Sequence, residues 1–238
     1  MKRFYFEKEK LDSNYITLDG GEISHLSVLR ISEGDKITCF CGDEYDYNCT
    51  IQEIGKKRAI LRIDEKIINN ANPKTVIDVF QALPKSEKLE LITQKLTELG
   101  VSNIYPFESD FTIAKRNDGK IDRINKIAVE ACKQCGRSIP LIVHNVVKFN
   151  NIIEKLKEYD CVIFAYEKST KNIKDIELKG KIAIVVGSEG GFSENEVNLL
   201  LKENIESISL GSRILRTETA SITLAGFVML SLGDKIWK

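Results

Sequence analysis

Hydrophobic and polar positions follow two regimes along the chain. From Met1 to Ile68 they alternate in short runs: RFYF from Arg3, YITL from Tyr15, DKITCF from Asp35, YNCTIQEI from Tyr47 and RAILRI from Arg58. Turn signals separate these runs, namely Asp19-Gly20-Gly21, Glu33-Gly34-Asp35, Cys41-Gly42-Asp43 and Gly55. Only Glu22–Leu29 carries a helical spacing, so this part predicts a small β-barrel. A polar stretch, Asn69–Pro73, then ends in proline and marks a boundary, giving a domain over residues 1–70 and a second over 73–238.

Beyond the boundary, apolar strands alternate with amphipathic helices. The strand TVIDVFQAL leads to a helix over Ser86–Leu99, whose Leu89, Ile92, Leu96 and Leu99 share one stripe. NIYPF, a helix over Lys120–Cys135, Leu141–Val143, a helix over Asn150–Tyr159 and CVIFAY follow. Such alternation predicts an α/β domain with a parallel sheet covered on both faces. The last helix, Thr219–Leu232, is apolar nearly all round, which implies burial from every side, either in its own core or against a second subunit.

The densest chemistry lies between Ile182 and Ala220. A strand of β-branched residues (Ile182, Ile184, Val185, Val186) breaks at Gly187 into GSEGGFS, and Ser193 with Glu196 has the spacing of a capping box opening the next helix. Gly187, Gly190 and Gly191 let the main chain approach a ligand closely. The spacing is neither G-x-G-x-x-G nor a Walker loop, and Glu189 would repel a phosphate but tolerate a cationic or neutral, hydrogen-bonding ligand; taken alone, the loop reads equally as a plain glycine-rich strand-to-helix turn. A second loop, SLGSRILRTETA over Ser209–Ala220, sets Arg213, Arg216 and Glu218 beside Thr217 and Thr219, directly before the apolar helix. Charges so dense against a hydrophobic segment must be paired or face a ligand.

Composition changes this picture little. Over 238 residues, 35 Lys plus Arg balance 35 Asp plus Glu, so any nucleic-acid surface has to come from segregated charge. The charged start and the lack of a membrane-length apolar run imply no signal peptide and no membrane partner, hence a cytoplasmic protein whose six cysteines stay reduced. Cys132 and Cys135 form a lone C-x-x-C inside a helical pattern, with no second pair or nearby histidine to complete a zinc site, so no metal is expected. His25 and His144 read as satisfied capping or core histidines.

The stretches Gln81–Val101 (QALPKSEKLELITQKLTELGV), Lys126–Arg137 (KIAVEACKQCGR), Gly187–Ser193 (GSEGGFS) and Leu210–Ala220 (LGSRILRTETA) resemble, in order, the ribosomal RNA small subunit methyltransferase E family. RFYF at Arg3–Phe6 and HLSVLRISEGDKI at His25–Ile37 match as well. Ser188 and Ser212 depart from the resembled pattern, in which proline follows the glycine; serine leaves each loop more backbone freedom and one more N–H.

The resemblance implies a C-terminal SPOUT-type parallel sheet with a deep trefoil knot, a PUA-like N-terminal barrel that touches RNA, and a homodimer. It implies methylation of N3 of one uridine in 16S ribosomal RNA within the small ribosomal subunit, with S-adenosyl-L-methionine as methyl donor. The donor would be held where Ala165–Glu167, Gly187–Gly191 and Leu210–Thr217 converge, by Leu83, Glu167, Gly187, Glu189, Gly190, Gly191, Leu210, Leu215, Arg216 and Thr217. Arg216 would stabilise the uracil oxygen as N3 loses its proton. Glu218, or Glu189, would accept that proton or anchor the arginine, or else be purely structural. RNA phosphates would meet Arg3 and Arg30 of the barrel and a second strip of Lys115, Arg116, Arg123, Lys126 and Arg137, with Phe4, Tyr5 and Phe6 either stacking on bases or filling the barrel. A tRNA or ribose 2′-O methyltransferase, and an RNA-binding assembly factor without activity, are the competing readings.

Overall fold

The computed structural model describes residues 2–114 and 118–232, apart from the side chains of Ser86 and Asp118. The chain divides into two compact units, one running through Asn72 and taking in Val129–Pro140, the other comprising Pro73–Ala128 and the chain from Leu141 onward.

The first unit carries a six-stranded, barrel-like sheet built from β1 (Arg3–Tyr5), β2 (Leu11–Asp12), β3 (Tyr15–Asp19), β4 (Lys36–Phe40), β5 (Tyr45–Ile54) and β6 (Arg58–Ile68), in the order β1-β4-β5-β6-β3-β2. The short helix α1 (Gly21–Val28) lies between β3 and β4. All pairings are antiparallel except β1 with β4. The period-2 alternation of the sequence sends Phe4, Ile16, Leu18, Ile37, Cys39, Tyr47, Ile51 and Leu61 into one core. Phe6 joins them and meets Tyr47 edge-on at 5.4 Å, so Phe4 and Phe6 fill the barrel and offer no stacking face.

The second unit is an all-parallel sheet between two helical layers. Its elements are β7 (Ile77–Ala82), α2 (Ser86–Glu98), β8 (Asn103–Glu108), α3 (Ile121–Cys135), β9 (Ile142–Val143), β10 (Val147–Lys148), α4 (Phe149–Leu156), β11 (Cys161–Ala165), β12 (Ile182–Val186), α5 (Glu194–Lys202), β13 (Glu206–Ile208) and α6 (Thr217–Ser231). The strand order is β10-β8-β7-β12-β11-β13, with β9 also on β8. The end of α3 falls in the first unit.

Every residue of β7 and β12 is buried, as expected of central parallel strands with both faces covered. Alternate positions part cleanly. Ile77, Val79, Ile182, Ile184 and Val186 enter a layer with α2, α6 and the start of α3, while Phe80, Ala82, Ala183 and Val185 enter the layer with α4 and α5. The capping box read from Ser193 and Glu196 is formed, and it starts α5.

In α6, Ala220, Leu224, Ala225, Val228 and Met229 are buried, but Leu230 is 73% exposed, so one chain covers only part of this helix. Among the described residues no helix is long and apolar enough to cross a membrane.

Candidate active site

Because the sheet is parallel, the chain leaves β11, β12 and β13 at the same edge, where doubly wound folds bind ligands. There Ala165–Glu167, Val186–Phe192 and the loop from Leu210 to Thr217 line a cleft of about 440 Å³, joined by Lys88 of α2 and Ala220 of α6. Val186, Ala165, Leu210, Leu215 and Ala220 give it apolar wall, and the glycine loop gives it exposed main chain. Backbone conformation explains the glycines. Gly191 sits at φ +72°, where a side chain is strained, and a Cβ on Gly190 would lie 2.7 Å from the Cβ of Phe111.

The floor of the cleft is a buried hydrogen-bond network. Thr217 Oγ1 donates to the Gly187 carbonyl at 2.6 Å and accepts from Gln81 Nε2 at 2.9 Å. The Gln81 amide also donates to the Ala82 carbonyl at 2.9 Å, and its oxygen accepts from Ser221, whose hydroxyl lies 3.0 Å from the Thr217 carbonyl. β7, the glycine loop and the first turn of α6 are thereby pinned together with their polar groups satisfied. Ser188 adds a tie, its hydroxyl donating to the Phe111 carbonyl at 3.3 Å.

Of the residues expected to hold a ligand here, Glu167, Gly187, Glu189, Gly190, Gly191, Leu210, Leu215, Arg216 and Thr217 line the cleft. Leu83 does not. Its side chain packs into the layer beneath α2, because the strand's alternation points it toward the core. Arg216 is exposed and has the extended backbone of a helix N-cap, with Ala220 N–H bonded to its carbonyl at 2.8 Å. Glu218 lies just outside the lining, in the first turn of α6.

Neither carboxylate anchors Arg216 by a hydrogen bond. Lys88 takes both, its Nζ lying 3.1 Å from Glu189 and 3.0 Å from Glu218. Burial pushes the pKa of each carboxyl up, but backbone N–H groups and Lys88 outweigh it and hold both below the usual carboxylate value. A depressed pKa makes either group a weaker proton acceptor. The part played by Lys88 was not legible in the sequence, since PKSEK offers several exposed-looking cations and nothing local marks this one.

The expected RNA-facing residues part company. Arg3 is 4% exposed, forms a two-point pair with Asp46 at 2.9 and 2.8 Å, and donates to the Arg137 carbonyl at 3.1 Å. Asn69 closes the same cluster through Asp46 and the Gly136 carbonyl. Arg137 is 3% exposed, and burial lowers its pKa. Arg3 and Arg137 are therefore internal to the first unit and do not present their charge to RNA. Arg30 is exposed at φ +52°, Lys126 is exposed, and Arg123 is exposed with a surface pair to Glu90. Lys115 and Arg116 lie outside the described residues.

Cys132, expected as a core thiol, is buried. Its hydrogen bond with Cys135 and burial both raise its pKa. His144 stacks on Tyr105 at 4.2 Å and hydrogen-bonds Asn103 at 2.9 Å, satisfied as expected.

Comparison with known proteins gives this arrangement a class. Residues 70–229 match the family model of the RNA methyltransferase domain, and residues 18–64 that of the RNA methyltransferase PUA domain. Fold and cleft thus define an RNA methyltransferase with a PUA domain at its N-terminal side. Relatives narrow this further. The ribosomal RNA small subunit methyltransferase E of Bacillus subtilis is 31% identical, the alignment covering 93% of each chain, and that of Buchnera aphidicola (from Acyrthosiphon pisum) is 34% identical over 98% of this chain and 94% of its own. A crystal structure of the Neisseria gonorrhoeae ribosomal RNA small subunit methyltransferase E bound to S-adenosyl methionine is similar at TM-score 0.89, with 28% identity over 98% of both chains. The chain belongs to the ribosomal RNA small subunit methyltransferase E family.

Proposed function

We propose that this chain methylates N3 of one uridine in 16S ribosomal RNA of the small ribosomal subunit, with S-adenosyl-L-methionine bound in the cleft at the edge of the parallel sheet. The observation that carries this is the convergence of the glycine loop, the β11 end and the Leu210–Thr217 loop on one cleft, with an exposed arginine at its rim.

The cleft suits the donor. Its apolar wall and glycine-rich main chain accept an adenosine by packing and by N–H and C=O groups, and Glu189 and Glu167 tolerate a cation. When bound, the donor supplies an electrophilic methyl carbon. The chain's own residues have the remaining tasks. Gly187, Gly190, Gly191, Leu210, Leu215 and Thr217 orient the ligand, and the buried Gln81–Thr217–Ser221 network keeps their loops fixed.

Arg216 holds a uracil oxygen and stabilises the negative charge that develops there as the N3 proton leaves. Glu218 and Glu189, depressed and clamped by Lys88, act first as supports of that site and only second as proton acceptors. Arg30, Arg123 and Lys126 contact RNA phosphates from the two units. We propose too that the chain path forms the trefoil knot and that the side of α6 around Leu230, which is exposed in the single chain, is the homodimer seam.

Labelled methyl transfer to unmodified small subunits, to free 16S RNA and to tRNA tests the substrate. Transfer to small subunits or their RNA is expected. Transfer to tRNA alone would overturn the assignment.

A further inference from the structure

The rim of the cleft sets three cations beside two carboxylates, and among the described residues only one of the three cations is paired. Arg213 and Arg216 are exposed, line the cleft, and have no ion pair or side-chain hydrogen bond among the described residues. Two carboxylates share that site, Glu189 in the glycine loop and Glu218 two residues beyond Arg216. Arginine pairs with carboxylate through a two-point fork and does so in preference to lysine where geometry allows. Yet both carboxylates converge on one ammonium, Lys88 Nζ, at 3.1 and 3.0 Å.

Lys88 reaches them from the first turn of α2, a different wall of the cleft, and its side chain is only 24% exposed. Glu218 also feels the charge of Arg216. The two are therefore near enough to interact, and the ion-pair partner of Glu218 is nevertheless Lys88.

We infer that Lys88 is a positioning residue: by holding Glu189 and Glu218 it keeps Arg216 unpaired, so that the guanidinium stays available to an anionic or electron-rich group of the RNA substrate. This rests on the methyltransfer reading for its purpose, though not for its pairing scheme. An arginine already paired with Glu218 would have its field largely cancelled by the adjacent negative charge and its donors occupied. Without Lys88, Glu218 would lose its cation and would close on Arg216. The lysine thus acts through the arginine and need not touch the substrate.

The test reads the state of Arg216 directly. Full-length wild type, Lys88→Met, Lys88→Arg, Glu218→Gln and the double variant Lys88→Met/Glu218→Gln are treated with phenylglyoxal, and labelling of Arg216 is followed by peptide mass spectrometry. Circular dichroism checks the fold of each. Lys88→Met should label about fivefold more slowly, a factor in keeping with a new surface ion pair. The double variant should return to within about twofold of wild type, and Lys88→Arg should match it. Glu218→Gln alone should label at the wild-type rate, because Arg216 is already unpaired.

Labelling that is unchanged in Lys88→Met, or that stays slow in the double variant, overturns the inference. So does faster labelling in Glu218→Gln, which decides the question even if Lys88→Met does not fold. Methyl transfer should fall in Lys88→Met and return in Lys88→Arg. Should labelling follow the expected order while no protein, wild type included, transfers methyl, the pairing scheme stands and the methyltransfer reading falls.

Discussion

Arg216 concentrates the chemistry at the residue scale, being exposed at the cleft rim and set by the backbone of a helix N-cap. In the proposed mechanism its charge is needed only as the substrate ionises. Arg216→Ala should leave S-adenosyl-L-methionine affinity within about twofold by calorimetry and lower turnover by about 10²–10³, the usual cost of one such donor. Thr217 differs because its hydroxyl is buried between the Gly187 carbonyl and Gln81. Thr217→Val leaves the Gly187 carbonyl with only the longer 3.3 Å bond from Gln81, whose amide keeps its bond to Ala82, and should cost about 1 kcal/mol in urea unfolding, with weaker donor binding. The two arginines at opposite ends of the chain show what sequence conveys at this scale. Arg216 was legible because charged and glycine positions crowd together locally. Arg3 was not, because the partner that buries it, Asp46, sits on another strand and reads as an ordinary polar position of an alternating pattern.

Among elements, the strongest coupling joins α2, the glycine loop and the first turn of α6 through Lys88, Glu189 and Glu218. Both carboxyls are held below their ordinary 4.5, so the stability they contribute is present above 4.5 and is lost as pH falls through their lowered values. Lys88 is the mirror case. Burial pulls its pKa down, but its two carboxylates raise it above 10.5, so its contribution is present below 10.5 and is lost as pH rises through the raised value. The melting temperature of wild type should therefore exceed that of Lys88→Met near neutral pH, and the gap should close as pH drops below the carboxylate range. A constant gap down to acid would contradict the clamp.

Strand and helix identities were readable where periodicity was long: both faces of β7 and β12, the stripe of α2 and the capping box of α5 follow from residue pattern alone. β13 was not, since three residues at a sheet edge carry too little pattern, and its place beside β11 is set by tertiary pairing.

Across the whole molecule, two units with separate cores divide the tasks, and the parallel one carries the cleft. α6 was read as buried on every side, in its own core or against a second subunit, because its sequence is apolar nearly throughout; within one chain the covering lies on the face against α2 and the sheet. Sequence reports how apolar a helix is, but not how much of the covering belongs to the same chain. With Leu230 73% exposed, the proposed homodimer predicts that light scattering reads about twice the 26.9 kDa chain mass for wild type. Leu230→Glu should read a single chain mass, since a buried unpaired carboxylate opposes association. A monomeric wild type would remove the dimer from the account.

The proposed methyl transfer falls on one atom of one RNA. Small subunits methylated by the protein with labelled S-adenosyl-L-methionine, digested to nucleosides and separated by mass spectrometry, should carry the label in 3-methyluridine from a single site in 16S RNA. Label in a 2′-O-methyl nucleoside, or in another base, would contradict the proposed chemistry while leaving the fold and the family untouched.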